Sequence, residues 1–151
     1  MLDALKNLFE KDPAHTDSEP DDRELAIAAT ALMVELARID ESEDEVELTT
    51  IIDCAVRTGD VSHQEAHAIL RDARHNATDA TSLYEFTDRL NRHLDQGQKQ
   101  RILIDIWRVA FADGRIDQYE EHLIRRIAEL LHLNHREYME ARHHAEQSLS
   151  S

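Results

Sequence analysis

An all-α fold is what this sequence predicts, and three observations predict it. Glycine and proline, which punctuate the many turns of a β protein, number only three and two among 151 residues. Apolar residues recur at the spacing of one helix face rather than alternating. Segment after segment opens with Ser, Asp or Asn and carries Glu three residues later, the reciprocal arrangement that satisfies the free amides at a helix start. Apolar residues make up 41%, enough for a core, and the length is that of one domain.

The elements follow in order. Residues 1–9 place Leu2, Leu5, Leu8 and Phe9 at helical spacing, which predicts a short amphipathic leader helix that docks on the body or on a partner. Residues 10–20 contain both prolines, Pro13 and Pro20, and read as a linker; residues 21–148 form the body. Asp21 or Asp22 caps a helix that is apolar nearly all round from Leu25 to Ala37, as a buried central helix would be. Asp44 with Glu47 opens the next, which carries Leu48, Ile51, Ile52 and Ala55 on one face and stops at Gly59. Ser62 with Glu65 starts a helix to about Asn76, and Thr81 or Ser82, with Glu85, starts one carrying Leu83, Tyr84, Phe86 and Leu90. Asp95 caps a second all-round apolar helix, Ile102 to Ala112. Asp117 with Glu120, then Asn134 with Glu137, open the last two. Trp107, Phe111, Tyr84 and Phe86 have core spacing, and the end of the chain around His143 and His144 is expected to fray.

The body also repeats itself. A shift of 73 positions superposes Leu36, Ala37, Asp40, Asp44, Glu47, Ile51 and Ala55 on Val109, Ala110, Asp113, Asp117, Glu120, Ile124 and Ala128. After a one-residue gap, Val61, Ser62, His63 and Glu65 match Leu133, Asn134, His135 and Glu137. The unit is a central helix, an acidic turn, a helix and a capped helix. One unit alone cannot cover its central helix, so two are expected to pack about an approximate twofold axis.

Charge narrows the partners. The formal balance is -15, and residues 1–60 hold 17 acidic against 5 basic side chains. Nucleic acid is excluded as a partner on this ground, because phosphate binding draws its affinity from Lys and Arg. The longest apolar stretch falls short of the roughly 20 residues that cross a bilayer. Met1 to Phe9 lacks the pattern of a secretory signal, and one cysteine, Cys54, fits a reducing cytoplasm.

The turn Asp113, Gly114, Arg115, Ile116, Asp117, followed by Glu120 and Glu121, is where the chemistry looks directional. A carboxylate at the C-terminal end of a helix is disfavoured by a few tenths to about 1 kcal/mol unless a cation or donor answers it. Gly114 can reverse the chain and bring Asp113 towards Asp117, where oxygen ligands for a hard divalent cation would converge. The other reading is structural: Asp113 accepts from free amides while Asp117 and Glu120 cap the next helix. It is not an EF-hand, since Arg115 stands at the third loop position. The first copy crowds Asp40, Glu41, Glu43, Asp44, Glu45 and Glu47 together, with Glu41 in place of the turn glycine. Such a run takes a cation, a basic partner surface or solvation. If both turns lie on one side of the bundle, their carboxylates make a single acidic surface.

No glycine-rich phosphate loop, GxSxG, HExxH or dinucleotide fingerprint occurs, so no enzyme is predicted. His63 and His67 share a helix face at a spacing that can hold zinc, without a third ligand supplied by sequence. The other histidines, His122, His132 and His135 among them, read as solvent-facing, and Cys54 as an inert core thiol.

Trp107 to Leu133, WRVAFADGRIDQYEEHLIRRIAELLHL, and Leu83 to Leu94, LYEFTDRLNRHL, resemble the TerB-like family. This is an all-helical module named for tellurite-resistance proteins and similar to the N-terminal region of the DjlA co-chaperone. The resemblance spans about Glu24 to Arg142 and is most specific at ADGxxDxxE, Ala112 to Glu120. It implies a bundle of about seven helices from two related halves, bacterial and cytoplasmic, without established catalysis. It also implies a link to tellurite and other chemical stress, with metal-holding roles falling on Asp113, Asp117 and Glu120, and in the first copy on Asp40, Asp44 and Glu47. The first copy, ARIDESEDEVE, departs from the pattern in lacking the glycine of ADG.

Overall fold

Capping chemistry sets where the helices begin. The computed structural model describes the backbone of residues 22–41, 45–75, 80–112 and 118–149, and the side chains of 22–37, 48–72, 83–112 and 121–148. The leader and linker predicted at 1–20 lie outside the described residues. Seven helices occur among those described: α1 (Asp22–Glu41), α2 (Glu45–Arg57), α3 (His63–His75), α4 (Ala80–His93), α5 (Gln96–Phe111), α6 (Gln118–Leu130) and α7 (His135–Leu149).

Three of the predicted starts close as reciprocal boxes. Ser62 Oγ accepts from the Glu65 amide at 3.1 Å while a Glu65 carboxylate oxygen accepts from the Ser62 amide at 2.9 Å. Asn134 and Glu137 do the same at 2.8 and 2.9 Å. Asp95 caps α5 with Gln98 as its reciprocal partner, so the helix starts at Gln96, a turn and a half before the apolar run. α4 differs from expectation: it begins at Ala80, which puts Thr81 and Ser82 inside its first turn rather than at its cap. The caps predicted at Asp44 with Glu47 and at Asp117 with Glu120 lie outside the described residues.

α1 and α5 form the centre. Ala28, Ala29, Ala31, Leu32 and Val34 of α1 and Ile102, Leu103, Ile106 and Trp107 of α5 are shut off from solvent. The alanines of α1 let neighbouring helices approach closely on several sides, which is why this helix can be apolar nearly all round. The two packings are related. α1 lies on α5, and each lies on its own two followers, α2 and α3 or α6 and α7. Each also crosses to the other half, α1 to α6 and α5 to α2. α4 adds Leu83, Phe86 and Leu90 to the core, and Asn91 Nδ2 donates to the Leu130 carbonyl at 3.0 Å, tying α4 to the end of α6.

The repeat reaches the backbone. α2 and α6 have bounds that differ by 73 residues at both ends, and the left-handed residues Gly59 (φ 81°) and His132 (φ 57°) are also 73 apart. At the end of α6 the His132 amide donates to the Glu129 carbonyl at 3.0 Å and the Leu133 amide to that of Ala128 at 2.9 Å. This is the paired closure that a left-handed residue after a helix permits. At the end of α2 the Gly59 amide repeats the first bond, to Val56 at 3.0 Å. The second bond passes through a side chain: Thr58 Oγ1 donates to the Ala55 carbonyl at 2.6 Å and accepts from the Asp60 amide at 3.2 Å.

Two sequence expectations about side chains are corrected. Tyr84 is 55% exposed, on the outer face of α4, although Phe86 and Trp107 are buried as predicted. The C-terminal segment is helical through His143 and His144 to Leu149, because Tyr138, Ala141 and Ala145 bury its inner face. No helix among the described residues is long and apolar enough to cross a membrane.

Candidate functional site

Each predicted acidic turn leaves the end of a central helix. Residues 42–44 join α1 to α2, and 113–117 join Ala112, the cap of α5, to α6. At the backbone level Asp40 lies in the last turn of α1, Glu47 in the first turn of α2 and Glu120 in the first turn of α6. Asp44, Asp113 and Asp117, and the side chains of Asp40, Glu47 and Glu120, lie outside the described residues.

The surroundings of the second turn are described, and they are ionic. Arg57, at the end of α2, donates from Nη1 to the Ala112 carbonyl at 3.2 Å. A cation at this position answers the partial negative charge at the C-terminal end of α5. One turn earlier Arg108 pairs with Asp60, which follows Gly59 in the α2–α3 connection. The end of α5 thus sits against the end of α2, whereas the first turn precedes the start of α2, at the other end of this 13-residue helix and 12 residue steps away. At 1.5 Å per residue that is about 18 Å. The end of α5, which leads into the second turn, therefore lies at the opposite end of α2 from the helix start that follows the first.

Behind Arg108 stands a carboxylate that the sequence reading missed. Asp105 is 3% exposed, with Arg101 Nε at 3.3 Å and Arg108 Nη1 at 3.9 Å from the same oxygen. Burial pushes its carboxyl up to about 6; Arg101 pulls it down, Asp60 adds to the rise and Arg108 opposes it. Its second oxygen has no hydrogen-bond partner among the described residues. Asp105 and Arg108 interrupt a segment read as apolar all round, and Arg101, Asp105 and Arg108 recur at helical spacing; that was the available signal. In the repeat, the partly exposed Arg108 stands where α1 has Glu35, which is fully buried.

On the other flank, Glu121 is held by Arg125 at 3.8 Å and Arg142 at 3.9 Å. Arg142 reaches Glu146 at 3.0 Å and lies 5.1 Å from the centre of the Trp107 ring. Trp107 in turn meets the edge of Tyr138 with centroids 5.4 Å apart and stacks on Phe111 at 5.7 Å. The indole thus couples α7 to the last turn of α5.

Other residue types with chemical potential are placed as follows. Cys54 is buried in the core, as predicted. His122, His132 and His135 are exposed, His63 is exposed and His67 half-buried. Among the described residues no three His, Cys, Asp or Glu side chains converge as metal ligands.

Comparison with known proteins agrees with this architecture. No curated protein and no solved structure matches the chain. The family described as Tellurite resistance protein TerB matches residues 26–143, from the second turn of α1 into α7. With its match running through all seven described helices, this chain belongs to the TerB family.

Proposed function

We propose that this TerB-family chain is a non-enzymatic module of a bacterial, cytoplasmic stress response, whose acidic turns each hold a divalent cation weakly. The reading is carried by one observation: α2 and α6, the helices that follow the two acidic runs, share bounds at a 73-residue shift, so each run spans the junction between a central helix and an equivalent follower. Negative backbone charge at a helix end, with several carboxylates close by along the chain, favours a hard cation with oxygen ligands and retained water. The separation of the flanking helix ends by the length of α2 supports two independent sites of low affinity rather than one of high affinity. Titration with calcium, magnesium, manganese or zinc, followed through the amide signals of Asp113 to Glu121 and Asp40 to Glu47, tests it. Site-specific changes at millimolar metal are expected, and their absence sinks the proposal.

A second reading is favoured by the Arg57 contact to Ala112. Here the chain itself supplies the cation that the end of α5 needs, the acidic turns serve as helix caps, and the module is a scaffold for a protein partner with a basic surface. Asp113→Asn then lowers stability and leaves every metal response unchanged, whereas under the first reading it weakens the response.

A further inference from the structure

α3 opens with the one pair of histidines four residues apart in the sequence, His63 and His67. That step puts both imidazoles on one face, a turn apart. Their ring centroids are 4.1 Å apart and the planes are tilted by 52°. Two imidazoles that share an ion at nitrogen distances of about 2.0–2.1 Å hold their centroids roughly 4.5–5 Å apart. The rings are thus already within about 1 Å of the centroid separation of a chelate, and rotation about their side-chain bonds is what would turn a nitrogen of each towards a shared ion.

The helix beneath the pair is held in place. Ser62 and Glu65 close the capping box, and both oxygens of Glu65 accept from Arg23 of α1 at 2.9 Å. Those bonds pin the first turn of α3 to α1, so little backbone ordering is needed when a ligand bridges the rings. They also commit Glu65 to Arg23 and the Ser62 amide, and among the described residues no third His, Cys, Asp or Glu joins the pair. His63 is exposed and His67 half-buried, so an ion reaches both from solvent.

We propose that His63 and His67 form a two-donor surface site for a borderline transition-metal ion, with water or a donor from another molecule completing its coordination. Imidazole nitrogen selects Cu2+, Ni2+ and Zn2+, with Cu2+ bound most tightly, over Ca2+ and Mg2+, which take oxygen ligands. The site is separate from the acidic turns, whose donors are carboxylates.

Copper chloride added below one equivalent to the full chain tests this through amide spectra. The unpaired electron broadens nearby signals, so residues 62–68 lose intensity first, while calcium and magnesium chloride leave them unchanged. His63→Ala and His67→Ala each shift the titration midpoint roughly tenfold or more towards higher copper, since each removes one arm of the chelate. Unshifted core amides show that these variants fold. The paired control, His143→Ala with His144→Ala, keeps the native midpoint. Broadening spread evenly over all histidine-bearing segments, or a midpoint that His67→Ala does not move, overturns the proposal. Calcium responses at Asp113 to Glu121 are read separately, so failure there leaves this result standing.

Discussion

Asp105→Asn should stabilise the protein at neutral pH and leave its stability unchanged in acid. The carboxyl has an ordinary value near 3.8, and burial raises it to about 6 against the pull of Arg101. A folded state that binds a proton more tightly than the unfolded chain is stabilised by acid. The contribution of Asp105 therefore falls as pH rises from about 3.8 to about 6 and is flat beyond. The displacement corresponds to about 3 kcal/mol. Asparagine imitates the protonated acid: its oxygen can still accept from Arg101 Nε, 3.3 Å from Asp105 Oδ1, and it brings no charge to bury. The variant should match the native protein near pH 4 and exceed it by about 1–3 kcal/mol near pH 7. Glu65 titrates the other way. The hydrogen bond from Arg23 holds it below its usual value, so it stabilises above that value and loses its contribution as pH falls. Being common to both proteins, it cancels in the difference. Urea unfolding across this pH range measures the gap, because urea is uncharged and does not screen the ion pairs. Parallel curves for the two proteins would refute the assignment of a buried, raised carboxyl, and so would a less stable variant at neutral pH.

The remaining predictions concern the repeat and the core. Gly59→Ala meets no atom within 4 Å of the new Cβ, so its cost is backbone conformation alone, about 1–2 kcal/mol in the urea midpoint. His132→Gly, at the equivalent left-handed position, should stabilise by about 0.5–1 kcal/mol; two variants with the same sign would break the equivalence. Ser62→Ala removes the cap of α3 and lowers stability by about 1 kcal/mol, measured the same way. Trp107→Ala empties the joint between α5 and α7 and costs about 3–5 kcal/mol in urea.

Much of the helical framework was legible because capping and periodicity are local. Ser62 with Glu65 and Asn134 with Glu137 signal helix starts within four residues, and both boxes form. Asp95 was legible as a cap, but its partner Gln98 lengthens α5 ahead of the apolar run that marked the helix. Tyr84 was misplaced because α4 is amphipathic, and the face that meets α1 was not readable from its own spacing. The sequence offers six carboxylates as a candidate site, Asp40, Asp44, Glu47, Asp113, Asp117 and Glu120, whose side chains lie outside the described residues. Their described surroundings were not legible: Arg57 meets Ala112 across 55 residues and Arg108 meets Asp60 across 48. Pairings of that separation depend on how helices pack, which local patterns do not encode.

The chain's own order of residues determined that this is an all-α protein of two related halves, with an acidic run at the junction that follows each central helix. Helix starts, apolar faces and a 73-residue repeat are all properties of neighbours along the chain. Tertiary structure alone decided that the end of α5 meets the end of α2, that Asp105 is enclosed with two arginines, and that two histidine rings nearly touch on α3. Burial and charge pairing arise where helices cross, and their effect on a carboxyl or an imidazole exists only once water has been excluded from that crossing.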